Sequence, residues 1–125
     1  MVYRSGLALY DDAPLSSSFF TTYAQDAVAA FGPSVSLDFG VTGADPITGV
    51  GGYSAPDELT ADLSAAAAGG VTTFHLYSLD GVFGQPAPEA WLNIRAEAQV
   101  AAPEPDAGAE KLRGLFTLLD EALNP

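Results

Sequence analysis

Strand-like and helix-like patterns alternate along this chain, and that order constrains its fold more than any other feature. Leu7-Ala8-Leu9-Tyr10 is a short apolar run closed by Asp11-Asp12-Ala13-Pro14, which predicts a strand ending near Asp12. Ser16-Ser17-Ser18 offers helix caps, and Phe20, Ala24, Ala27 and Phe31 follow at helical spacing until Gly32-Pro33 stops the pattern. Val35-Ser36-Leu37-Asp38-Phe39 alternates apolar with polar and closes at Gly40, a second strand. A long glycine-rich connection, from Gly40 through Gly49-Val50-Gly51-Gly52 to Ala55, reads as a lid or a flexible connector.

Ser54-Ala55-Pro56-Asp57 then supplies a cap and an early-helix proline, and Leu59, Leu63, Ala66 and Ala67 form one stripe before Gly69-Gly70. Val71 to Tyr77 is rich in β-branched and aromatic residues and ends at the turn-like Ser78-Leu79-Asp80-Gly81, giving a third strand. Glu89 to Val100 reads as a third helix carrying Trp91, Ile94 and Ala98, with Trp91 as packing. In the last helix, Leu112, Leu115, Phe116, Leu119, Ala122 and Leu123 share one face. Asp57, Glu58 and Glu89 fall where acids favour helix N-termini. The order β-α-β-α-β-α-α predicts parallel strands joined by helical crossovers.

Successive side chains of a strand point to opposite faces, so the strands can be sorted by parity. Leu7, Leu9, Val35, Leu37, Phe39, Phe74 and Leu76 fall on one face. Ala8, Tyr10, Asp12, Ser36, Asp38, Thr73, His75 and Tyr77 fall on the other. A doubly wound sheet is covered on both faces and reads as nearly continuous apolar runs; these strands do not. Helices over one face and polar side chains on the other is the arrangement of a βα barrel near its active mouth.

On these residues, and above all on Gly69 to Gly81, the chain resembles the closing, C-terminal segment of a TIM barrel. The resemblance extends over about three βα units. A full barrel takes roughly 250 residues, and this chain has 125. The expected fold is therefore a partial (β/α) barrel, with a small open parallel α/β sheet as the alternative. Residues 1–125 then form either a single α/β domain or the C-terminal segment of a larger barrel. Another chain or segment would supply the missing strands and cover the open edges.

Asp38 and Asp12 sit in phase with the polar face at strand ends, where parallel α/β folds bind their ligands. Carboxylates so placed serve as acid and base or act on a glycosidic bond. They also ligate hard divalent cations. His75, the only histidine, shares the face with Tyr77 and belongs to the residue type suited to proton transfer near neutral pH. Asp38, Asp12 and His75 are thus the catalytic candidates, and Tyr10, Ser36, Tyr77 and Asp80 the substrate-binding ones. The resemblance implies a glycosidase-like hydrolase acting on a carbohydrate or other polyhydroxylated small molecule, without a cofactor. The alternatives are a Mg²⁺-dependent lyase or isomerase, in which the carboxylates hold the metal, and a non-catalytic binding or assembly domain.

Charge and composition narrow the partners further. Sixteen Asp and Glu against four Lys and Arg give a net charge of −12, which repels phosphate backbones and anionic lipid and argues against nucleic acid and membrane surfaces. A hydrophobic content of 48% nevertheless supports a folded core. The chain has no cysteine, so it has neither disulfides nor a thiolate nucleophile. No stretch reaches the roughly 20 apolar residues of a membrane span, and the N-terminus lacks the apolar run of a signal peptide. The expected compartment is the cytoplasm.

Overall fold

A computed structural model describes residues 16–41, 52–97 and separate helical positions between 107 and 122. The elements are α1 (Ser17–Phe31), β1 (Ser36–Gly40), α2 (Pro56–Ala68), β2 (Thr73–Tyr77), α3 (Leu79–Phe83) and α4 (Pro88–Leu92). The expected strand Leu7–Asp12 and the Gly49–Gly51 run lie outside the described residues. β1 and β2 pair in parallel, with Asp38 opposite His75 and Gly40 opposite Tyr77. The β1–α2–β2 unit is therefore the crossover that the alternation predicts. Among the described residues the sheet has these two strands, which makes the fold a small α/β arrangement with an open parallel sheet.

The core forms on the apolar side of β1. Phe19, Phe20 and Ala24 of α1 and Leu59, Leu63 and Ala66 of α2 are buried with Leu37 and Phe39 in one cluster. The Phe20 and Phe39 rings lie 5.3 Å apart, and Phe39 meets Phe74 at 6.0 Å, within the range where aromatic edges and faces attract. Burying a phenylalanine of this kind contributes roughly 1.5–3 kcal/mol. Trp91 of α4 and Val82 of α3 also belong to the cluster.

The two helices meet very closely where α2 ends. A Cβ on Gly69 would lie 2.5 Å from the Thr21 carbonyl oxygen and 2.6 Å from the Ala24 Cβ. Glycine is required there by the approach of α1 rather than by its backbone angle. Gly70, at φ 104°, then turns the chain through the left-handed region that glycine tolerates best.

Several local expectations are corrected. The expected stripe on α1 ends with Phe31, which is 79% exposed; burial concentrates instead on the first turns, from Ser18 to Thr22. Leu76, expected on the covered face, is 36% exposed, because the buried cluster is centred on β1 and takes in Phe74 of β2 only at its margin. The serine run does not cap α1 through its side chains. Ser16 is the N-cap but makes no side-chain cap bond, its hydroxyl pairing with Ser18 at 2.7 Å. Ser54 is likewise no cap: Ala55 holds that position, and Glu58 Oε2 accepts from the Ser54 backbone N–H at 2.8 Å. That contact is a capping-box interaction shifted by one residue.

The expected helix from Glu89 to Val100 stops at Leu92. Asn93 donates from its side-chain nitrogen to the Glu89 carbonyl at 2.9 Å, and side-chain amides that bond to nearby backbone groups in this way compete with helix continuation. The chain then crosses α2, where the Glu97 N–H donates to Ser64 Oγ at 2.9 Å. Helical positions at Lys111, Arg113, Gly114, Thr117, Leu118 and Ala122 agree with the expected final helix. The apolar residues Leu112, Leu115, Phe116, Leu119 and Leu123 lie outside the described set. Arg113 reaches Asp26 of α1 at 2.7 Å, with both side chains about half exposed.

Candidate functional site

Parallel register and side-chain alternation together build the site. Asp38 and His75 are direct partners across the β1–β2 ladder, and both are in phase to point away from the Leu37–Phe39 core. His75 Nδ1 lies 2.8 Å from Asp38 Oδ1, with the histidine side chain 60% and the aspartate side chain 38% exposed. Residues 38 positions into the chain and 75 positions into it are thus joined by the crossover alone.

The rest of the polar face follows in steps of two. Ser36 stands opposite Thr73 on one side of the pair, both exposed. Tyr77 stands opposite Gly40 on the other and is 49% exposed. The Val41 N–H donates to the Tyr77 carbonyl, extending the ladder just past both strands. The structure therefore brings four predicted residues, Asp38, His75, Ser36 and Tyr77, onto one strip of sheet. Asp12 and Tyr10 lie outside the described residues.

Asp80 occupies a different setting from the turn expected of it. Ser78 caps a new helix, accepting from the Gly81 N–H at 3.2 Å, and Asp80 lies exposed in the first turn of α3. An acid there interacts favourably with the helix N-terminus. The Ser-Leu-Asp-Gly sequence suits a turn as well as a capped helix start, and the serine hydroxyl decides for the helix.

One buried acid escaped the sequence reading. Asp62 of α2 is fully buried, accepting from Ser17 Oγ at 2.7 Å and from the Tyr53 hydroxyl at 3.0 Å. The available signal was its position: Asp62 falls three residues after Leu59 and one before Leu63, inside the apolar stripe rather than outside it.

Chemically, Asp38 and His75 supply a carboxylate and an imidazole in hydrogen-bond contact. Among the described residues the Nε2 nitrogen has no protein partner, so the ring presents it to solvent. Asp38 and His75 would offer a metal ion two donors, and no group of three or more His, Cys, Asp or Glu side chains lies together among the described residues. No described helix is long and apolar enough to cross a membrane. No protein-family model matches the chain, and neither a curated protein nor a solved structure is significantly similar to it.

Proposed function

We propose that this chain is a segment of a (β/α)-barrel-type hydrolase, glycosidase-like in chemistry, that acts on a carbohydrate or another polyhydroxylated molecule. The observation that carries this reading is the 2.8 Å contact between Asp38 and His75 on an exposed sheet face. A carboxylate–imidazole pair open to solvent is equipped to move the proton that hydrolysis requires. Parallel pairing through a helical crossover, with helices packed on the opposite face, supports the barrel part of the proposal. Ser36 and Tyr77 flank the pair and would bond substrate hydroxyls. Asp12, at the end of the expected first strand, is the second carboxylate. A companion chain or segment would supply the remaining strands, and the compartment proposed for the assembly is the cytoplasm.

The test is hydrolysis of a panel of aryl glycosides and soluble polysaccharides. The full chain is purified from expressing cells under non-denaturing conditions, so that any companion travels with it. Hydrolysis that disappears with His75→Ala supports the proposal. Hydrolysis that is absent throughout, or unchanged in that variant, overturns it.

A second reading, a binding or assembly domain, draws on one observation. Leu79, Phe83 and Leu92, from α3 and α4, are 59%, 58% and 47% exposed, more apolar surface than two short helices need to show. A chain that remains monomeric in solution and in extract would count against it.

A further inference from the structure

We infer that Asp38 is a positioning residue that fixes the tautomer of His75, and that Nε2 of His75 is the atom that exchanges protons with water or substrate. This inference rests on the hydrolase reading for its purpose and assigns the two residues unequal roles within it. Sequence parity alone made Asp38 the leading carboxylate, equivalent in kind to Asp12.

The geometry separates the roles. The contact runs from Nδ1, not Nε2, to the carboxylate, at 2.8 Å. An ionised carboxylate accepts hydrogen bonds and cannot donate them. The proton in this contact therefore belongs to Nδ1, and a neutral ring that carries its proton on Nδ1 has its lone pair on Nε2. That nitrogen faces solvent, since the side chain is 60% exposed and Nε2 has no partner among the described residues.

In the transfer, the Nε2 lone pair forms a new N–H bond as an O–H bond of water or a substrate hydroxyl breaks, and that bond's electron pair stays on oxygen. The resulting imidazolium keeps its Nδ1–H against Asp38, whose negative charge offsets the new positive one. Asp38 keeps its hydrogen bond to Nδ1 throughout and forms no bond to the reacting atoms. The pairing is built into the sheet, because register places the two residues opposite each other and the strand backbones hold both Cα atoms in place.

His75 is the only histidine, so its ring nitrogens can be observed without overlap. Long-range proton–nitrogen correlation spectra of the ¹⁵N-labelled full chain, recorded in alkaline buffer, read the tautomer directly and need no substrate. The expected wild-type spectrum shows the proton on Nδ1. Asp38→Ala and the isosteric Asp38→Asn should both lose this pattern and move the proton to Nε2, the site free histidine prefers. Backbone amide spectra check that both variants keep the sheet. A wild-type proton on Nε2, or a pattern unchanged in both variants, overturns the inference. A proton on Nδ1 that depends on Asp38, found together with no glycoside hydrolysis, supports the pairing and overturns the hydrolase reading instead. Where hydrolysis is measured, Asp38→Asn should lower kcat on the order of 10- to 100-fold with KM nearly unchanged.

Discussion

The Ser17 hydroxyl donates to the Asp62 carboxylate at 2.7 Å, joining the first turn of α1 to the middle of α2. The other carboxylate oxygen accepts from Tyr53 at 3.0 Å, just before α2 begins. One buried acid thus fixes three segments. Charged groups are rarely buried without such partners, since desolvation would otherwise cost several kcal/mol.

Replacing Asp62 with Ala should destabilise the fold by about 3–5 kcal/mol, because it removes the acceptor that the Ser17 and Tyr53 hydroxyls share and leaves a cavity. Ser17→Ala removes a single hydrogen bond to Asp62 and should cost about 0.5–1.5 kcal/mol. Urea denaturation of both variants checks the order; equal and small losses would show that the carboxylate is not the anchor.

Gly69→Ala should destabilise by about 1–3 kcal/mol, the usual cost of overpacking. The new methyl would meet the Thr21 carbonyl and Ala24, and neither is the end of a flexible side chain. Gly114→Ala is the contrasting case. Its Cβ meets nothing within 4 Å, and Gly114 is helical, so this variant should gain about 0.5–1 kcal/mol. Thermal unfolding of the pair should move in opposite directions.

Two phenylalanines of α1 should behave very differently. Phe20→Ala opens a cavity beside Phe39 and should cost about 3–5 kcal/mol. Phe31→Ala, at a position 79% exposed, should stay within about 0.5 kcal/mol of the wild type. A large loss at Phe31 would mean that the residue is covered in solution.

Ala87 precedes α4 at φ 51°, a left-handed conformation that costs a residue with a Cβ roughly 1–2 kcal/mol. Ala87→Gly relieves that strain but gives the unfolded chain more freedom. The expected net gain is about 0.5–1 kcal/mol, read as a higher urea midpoint.

Chelation distinguishes acid–base chemistry from the metal alternative. If His75 and Asp38 carry the reaction as proposed, the chain should keep its full rate of hydrolysis after dialysis against a strong chelator, whereas His75→Ala should lose it. Loss on chelation with recovery on adding Mg²⁺ would favour the lyase or isomerase reading.

Local chemistry made much of this protein legible. The alternation around Leu37 and Phe39 placed Asp38 on the opposite face. Pro56 marked the start of α2, and Gly32 and Gly69-Gly70 marked where helices end. These signals survive because turns, periodicity and strand parity act over a few residues. Parity also put Ser36, Asp38, His75 and Tyr77 on one face, although it could not say which of them would touch.

What sequence could not resolve depends on what lies across the core. Asp62 reads as a polar interruption until Ser17 and Tyr53 are brought beside it. Phe31 belongs to its helix's apolar stripe but extends past the partners that bury Phe20. The helix expected after Glu89 gives way to a contact between Glu97 and Ser64, 33 residues apart. The sequence by itself determined the order of α1, β1, α2 and β2 and the alternation of side chains along each strand, because both follow from local backbone geometry. Tertiary structure decided that Asp38 meets His75, because strand register depends on the crossover and on the core that holds it, and neither is local.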